Sequence, residues 1–403
     1  MKNVGNPVRI INVMRRALAG KSVTIAFIGG SITQGAAATD DSLCYAALVY
    51  RWWKRSFPMA DIRYVNAGIG ATTSQFGVAR VKDDLLKFNP DFVIVEFSVN
   101  DNDEFPNDRR EFFRETYEGL IRKIYSHKNS DGNAPAILIM HSVRYDDGSS
   151  EEEMHSEIGA HYGIPCISMK ELIYDRVLRG EADFKIEDIT QDMLHPNNFG
   201  HGIVAGHITD YLEGLRSDIV KNMSGSGQGP DASGDAGWLT VRRDVDELPA
   251  PFTDNRYEDV LRYNNLNCKP ECSGFIADTT PVMRPVCIND GIKVLGSEAR
   301  DVFKDGWTAC AKGASITFRF YGKESGVMYR KSVKRPAPVA YAVIDGDTDH
   351  KTLLDANFDE DWGDKAYMAT LMYHGTAGEH TLTVTLEEEG SAADFYLINV
   401  VCS

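Results

Sequence analysis

Residues 24–35 read TIAFIGGSITQG, and the fold of the first half of the chain turns on this stretch. A run of apolar, mostly branched or aromatic side chains stops at two glycines. Ser31 follows at once, and a polar turn closes on Gly35. A short run that is apolar throughout fits a strand buried on both faces. Glycines at its end let the backbone bend without a β-carbon clash. The chain therefore offers a hydroxyl at the carboxyl end of a buried strand.

Four more runs of this kind follow: DIRYVNAG (61–68), DFVIVEFS (91–98), AILIMHS (136–142) and GIPCISM (163–169). Between and after them lie helical patterns near 43–56, 74–88, 109–127, 150–162 and 198–215. Apolar strands separated by helices predict a parallel sheet covered on both faces, a three-layer α/β/α arrangement. Ligand sites in such sheets lie beyond the carboxyl ends of the strands. The segments GGS, NAG and SVND should then gather along one edge.

The rhythm changes after SGSGQGPDASGDAG (224–237), which has no apolar anchor and reads as a flexible linker or exposed loop. Beyond it ASITFRFYG, SGVMYR, VAYAVIDGD, HTLTVTLEE and DFYLINVVC alternate polar and apolar residues without a long helical pattern. That predicts an antiparallel β-sandwich. The expected organisation is a catalytic α/β domain over 1–220, a linker over 221–237 and an all-β sandwich over 238–403.

The chain has 403 residues, long enough for two domains, and a formal net charge of −16 from 59 acidic and 43 basic side chains. Without a basic field, nucleic acid and anionic membrane are not expected partners. No apolar run is long enough to span a bilayer. The first residues, MKNVGNPVRIINVMRRALAGKS, read as an amphipathic helix and not as an export signal. Seven thinly spread cysteines then fit reduced thiols and a cytoplasmic location. The pair in CKPEC (268–272) has no second cluster to complete a zinc site, so neither metal nor cofactor is expected.

Four segments carry candidate chemistry. A serine hydroxyl needs a base and an accessible position, and Ser31 has the second; it also fits a helix cap. No lysine follows it at the phosphate-loop position. DMLHP places Asp192 three positions before His195, a spacing that lets a carboxylate meet an imidazole in a compact turn. Gly68 in VNAGIGATT and Asn100 in FSVND each follow a strand, where a backbone N–H or a side-chain amide can meet an oxyanion; turn chemistry explains either one alone.

Taken together, GGSITQG, NAGIGA, SVND and DMLHP resemble the four blocks of the SGNH (GDSL-like) hydrolase superfamily, spanning the whole first half. One position departs from the pattern: Ser98 stands where the asparagine block usually begins with glycine. The resemblance implies a flavodoxin-like sheet and a serine esterase with Ser31 as nucleophile, His195 as general base and acid, and Asp192 as its orienter. It also implies an oxyanion hole of the Ser31 and Gly68 N–H groups with the Asn100 side chain.

With its sandwich, the chain resembles two-domain carbohydrate acetylesterases. This implies removal of O-acetyl groups from acetylated manno- or xylo-oligosaccharides, the oligosaccharide being the partner. Trp307 and Trp362, in turn-rich contexts, are candidate sugar-stacking residues, with Tyr329 and Tyr341 as further options; a place in the core is the alternative for each tryptophan. His141 and Arg144 in MHSVR follow the fourth strand and are candidates for lining the cleft; a partly exposed loop pair is the alternative reading. A general short-chain acyl-ester hydrolase, lipase or thioesterase shares the catalytic half. A non-catalytic carbohydrate-binding protein is the reading outside enzymology. A homo-oligomer is left open.

Overall fold

Strand β1 (Val23–Gly29) is buried along its whole length. The structure, a computed structural model, describes residues 5–103, 110–225, 247–281, 284–288 and 291–403. β1 pairs in parallel with β2 (Ile62–Gly68) and with β3 (Phe92–Glu96). The sheet continues through β4 (Ala136–His141) and β5 (Cys166–Ser168), in the order β2-β1-β3-β4-β5. This is the flavodoxin-like order, whose crevice opens between β1 and β3 at the carboxyl edge. Gly29 is level with Gly68 on one side and Glu96 on the other, so three strands end together beneath that crevice.

The helices are α1 (Val8–Leu18), α2 (Ser31–Gln34), α3 (Tyr45–Ser56), α4 (Ser74–Asp84), α5 (Ser98–Asp103), α6 (Arg110–Ser126), α7 (Glu152–His161), α8 (Asp175–Leu178), α9 (Ile186–Ile189) and α10 (Asn198–Gly225). Ile10 and Met14 of α1, Tyr50 and Trp53 of α3 and Leu212 of α10 share a core with Ile25, Phe27, Ile94 and Leu138. The alternate strand residues Val93, Val95, Ile137 and Ile139 are also buried and point to the other face. There α7 packs so closely that a β-carbon on Gly159 would lie 3.1 Å from the Ile139 side chain. Cover on both faces is why these strands carry no polar alternation.

The chain divides into two compact units. The first holds Met1–Ser74, Val81–Thr253 and Pro285–Arg300; the second holds Gln75–Arg80, Asp254–Arg284 and Asp301–Ser403. The first unit thus extends past the expected boundary, because Glu118 accepts the N–H groups of Phe252 and Thr253 and Arg122 donates to the Pro249 carbonyl at 2.7 Å. Pro285–Arg300 also returns to it, with Leu295 donating to the Tyr64 carbonyl at 3.0 Å and accepting from Asn66 N–H at 2.9 Å. Most of the expected linker, from residue 226 on, lies outside the described residues.

In the second unit the strands are antiparallel. One sheet runs in the order Lys365–Met372, Ser325–Lys331, Phe395–Cys402, Trp307–Ala309, Ile276–Ala277, with Leu261–Tyr263 also on Phe395–Cys402. The other runs Thr352–Asp355, Val339–Ile344, Gly378–Glu388, Ser315–Gly322, Glu271–Ser273. Val327 and Leu397 of the first sheet share a core with Ile316, Leu382 and Val384 of the second, which makes the unit a β-sandwich.

Candidate active site

Ser31 opens α2 one residue beyond Gly30, so its N–H belongs to a first helical turn without an intrahelical acceptor. Its Oγ lies 2.8 Å from His195 Nε2. His195 Nδ1 lies 2.6 Å from Asp192 Oδ2. A carboxylate only accepts, so Nδ1 carries the proton and Nε2 is left to accept from the serine. The arrangement can move a proton from Ser31 Oγ to the imidazole and steady the imidazolium that forms.

The loop that brings the imidazole back over the sheet edge is pinned at several points. Asp192 Oδ1 accepts the N–H groups of His195 at 2.7 Å and Leu194 at 3.0 Å. Met193 sits in the left-handed region, at φ 62°, and its carbonyl is held by the Tyr145 N–H at 2.7 Å. Asn197 donates its own N–H to the Ile189 carbonyl at 2.8 Å, and its Oδ1 caps α10 through Phe199 and Gly200 N–H. Burial pushes the Asp192 carboxyl upward, but its bonds from the His195 side chain and from backbone N–H groups prevail and hold it at about 2.

Asn100 lies on α5, one turn past β3. A β-carbon at Gly30 would lie 2.0 Å from the Asn100 amide oxygen, so only glycine lets this amide sit beside the serine turn. Gly68 requires a correction. Its N–H donates to Asn66 Oδ1 at 2.9 Å, while Asn66 Nδ2 donates to the Thr33 carbonyl at 2.9 Å. A β-carbon on Gly68 would lie 2.2 Å from Gln34 N, so this glycine lets β2 abut the backbone of α2. Gly70 is the glycine beside Ser31: a β-carbon there would lie 3.7 Å from the Ser31 β-carbon. Its N–H donates to Gln34 Oε1 at 2.6 Å.

The profile of the GDSL-like Lipase/Acylhydrolase family matches residues 27–203. A crystal structure of a two-domain esterase (CEX) active on acetylated mannans, co-crystallized with mannopentaose, is 44% identical. That match covers 100% of this chain and 96% of the other at a TM-score of 0.83. The same esterase without mannopentaose matches at 44% identity, the same coverage and a TM-score of 0.82. The chain belongs to the GDSL-like lipase/acylhydrolase family. No curated protein sequence matches it.

Within this GDSL-like hydrolase the remaining candidates separate. His141 closes β4 fully buried, with Nε2 3.0 Å from Ser156 Oγ, so it packs behind the sheet edge and lines no cleft. Arg144 forms a two-pronged pair with Asp146, at 3.2 and 3.1 Å, in the loop whose Tyr145 holds Met193. Trp307 is a core residue of the sandwich, edge-on to Phe318 at 5.2 Å, and is not available for stacking. Its position inside a strand, alternating with outward Thr308, explains the burial. Tyr329 is buried as well. Trp362 is 56% exposed, donates Nε1–H to Glu360 at 2.6 Å and meets Phe358 edge-on.

Sequence reasoning gave no role to Asp101, which follows Asn100. It is fully buried, its Oδ1 accepts Ser74 N–H at 2.8 Å, and its Oδ2 lies 3.0 Å from His155 Nε2. Ser98, the departure from the usual block, donates its hydroxyl to the Ser142 carbonyl at 3.1 Å and so ties the start of α5 to the loop after β4.

Proposed function

We propose that this protein is a serine esterase that removes O-acetyl groups from acetylated manno- or xylo-oligosaccharides through an acyl-enzyme. One observation carries the reading: a Ser31–His195–Asp192 relay closed at 2.8 and 2.6 Å in a chain that matches an acetylmannan esterase along its whole length. Ser31 Oγ attacks the acetyl carbonyl and its proton passes to His195 Nε2. The oxyanion is met by the Ser31 N–H, the Asn100 amide and the Gly70 N–H, the acyl oxygen replacing Gln34 Oε1 at the last. Collapse breaks the ester bond, and the departing sugar oxygen takes the proton from His195. Water, deprotonated by the same imidazole, then attacks the acetyl-serine and releases acetate.

Each pre-aimed donor of this kind contributes about 10²–10³ in kcat. Trp362 is the sandwich residue whose exposed ring fits sugar stacking, and Arg144 the cleft candidate that borders the histidine loop. Action in a reducing cytoplasm on imported oligosaccharides completes the proposal, supported by seven free cysteines. Among the described residues no helix is long and apolar enough to cross a membrane.

The test is mass spectrometry of acetylated manno- and xylo-oligosaccharides incubated with the enzyme or with Ser31→Ala. Stepwise loss of acetyl groups with the first and none with the second is expected. Retained turnover by Ser31→Ala would remove the nucleophile assignment. Faster hydrolysis of octanoyl than of acetyl aryl esters would replace the acetylesterase reading with a lipase-like one.

A further inference from the structure

Asp101 and His155 form a second Asp–His pair that the proposed chemistry leaves unused. Both side chains are fully buried, on α5 and α7. The His155 ring stacks on Tyr117 of α6 at 3.5 Å and 5° between planes. Ser74, whose N–H Asp101 accepts, begins α4 and ends the loop that carries Gly70. Its Oγ is 2.8 Å from Thr116 Oγ1 of α6. One carboxylate thus binds the segment after Gly70 with one oxygen and a ring clamped between helices with the other. It does so from the residue next to Asn100.

We propose that Asp101, fixed by His155, is the positioning residue of the oxyanion hole, holding the Asn100 turn and the Gly70 loop in one register. This rests on the reading of Asn100 as an oxyanion donor. Desolvating an ionisable pair is expensive, and an apolar pair of the same volume would stabilise the fold as well or better. A hydrogen-bond acceptor pointed at Ser74 N–H is what an apolar pair cannot supply. Burial raises the Asp101 carboxyl to about 7 and lowers His155 to about 3, so the interior opposes charge on either member.

The experiment measures kcat and KM on p-nitrophenyl acetate for Asn100→Ala, Asp101→Ala, Asp101→Asn and the double variant Asn100→Ala/Asp101→Ala. A donor is worth about 10²–10³ in kcat, so its misalignment in Asp101→Ala should cost roughly 10- to 100-fold with KM within about two-fold. Asp101→Asn keeps an acceptor for Ser74 and should recover most of that loss. Once Asn100 is already alanine, Asp101→Ala should cost less than about three-fold more. Losses that multiply, or Asp101→Ala at the wild-type kcat, would overturn the inference. Asn100→Ala at the wild-type rate would overturn the donor reading and this inference with it. If Asp101→Ala does not fold, His155→Gln reads the same arm, and a wild-type kcat there overturns the proposal.

Discussion

Two Asp–His pairs lie in the same unit, with nearly the same bond and opposite electrostatics. Asp192 and His195 are three residues apart in a loop, 2.6 Å from each other, with side chains 52% and 21% exposed. Asp101 and His155 are 54 residues apart on two helices, 3.0 Å from each other and sealed from water. The exposed carboxyl is held at about 2, the buried one raised to about 7. Solvent and backbone N–H groups keep Asp192 ionised, so it can steady a positive imidazole as that forms. Burial favours the neutral forms of the other pair, which can only hold position. The hydrogen bond alone does not tell a relay from a strut; the surroundings do.

The largest effect should come from Asp192→Asn. An amide in that place favours the wrong tautomer, and in triads of this type the loss is about 10⁴-fold in kcat. Because the side chain is half exposed, the melting temperature should barely move. Steady-state kinetics on an aryl acetate together with a thermal melt check both halves. A fall of under about ten-fold would erase the functional half of the contrast between the pairs.

The next effect is on stability and sharpens the buried side. Glu96 closes β3 fully buried; burial pushes its carboxyl up to about 7 against the bonds from Ser142 and Ser98, with the neighbouring Asp101 adding to the rise. A folded carboxyl raised above 4.5 keeps a proton that the unfolded chain has lost. Stability is therefore full below about 4.5 and declines as pH rises through about 7. At about 1.36 kcal/mol per pH unit that gap amounts to about 3 kcal/mol. The Asp101–His155 pair adds little slope there: folded, it binds one proton on the aspartate; unfolded, one on the histidine. Denaturant melts of wild type and Glu96→Gln should diverge by about 3 kcal/mol in favour of the variant between pH 4 and 8. A pH-independent difference would mean that this interior does not penalise charge.

What could be read from the sequence follows the same division between local and assembled features. β1 to β5 were legible because a strand covered on both faces is apolar throughout, and the Asp192–His195 turn because its partners are neighbours in the chain. Gly68 and Gly70 were not separable. Both lie in VNAGIG, and only the assembled turn tells them apart, Gly68 abutting the backbone of α2 and Gly70 facing Ser31. A glycine standing after the strand has ended, as Gly70 does, is the signal that was available. Asp101 and His155 meet only when α5, α6 and α7 pack, so no spacing announces them. Trp307 read as a turn residue because DGWTAC begins with turn formers, although the alternation of Trp307, Thr308 and Ala309 already had the period of a strand. The return of Pro285–Arg300 to the edge of β2 is a pairing across more than two hundred residues, which local pattern cannot carry.

The smallest expected effect is the absence of one. Burial pushes His155 down to about 3, its ring lies flat on Tyr117, and among the described residues its Nδ1 has no hydrogen-bond partner. Protonating it would place a charge where only the Asp101 carboxyl could answer, and burial raises that carboxyl to about 7, so below that pH it is mostly neutral. An exposed imidazole titrates between about pH 5 and pH 8. The carbon-bound ring protons of His155, assigned by their loss in His155→Gln, should therefore show no imidazole titration in their NMR shifts across that interval, only the smaller response to Asp101 titrating near 7. An imidazole midpoint above about 5 would show that the buried pair takes up charge as a relay does. The distinction between the two pairs would then rest on position alone, with Asp101 ionised beside the oxyanion it is proposed to help stabilise.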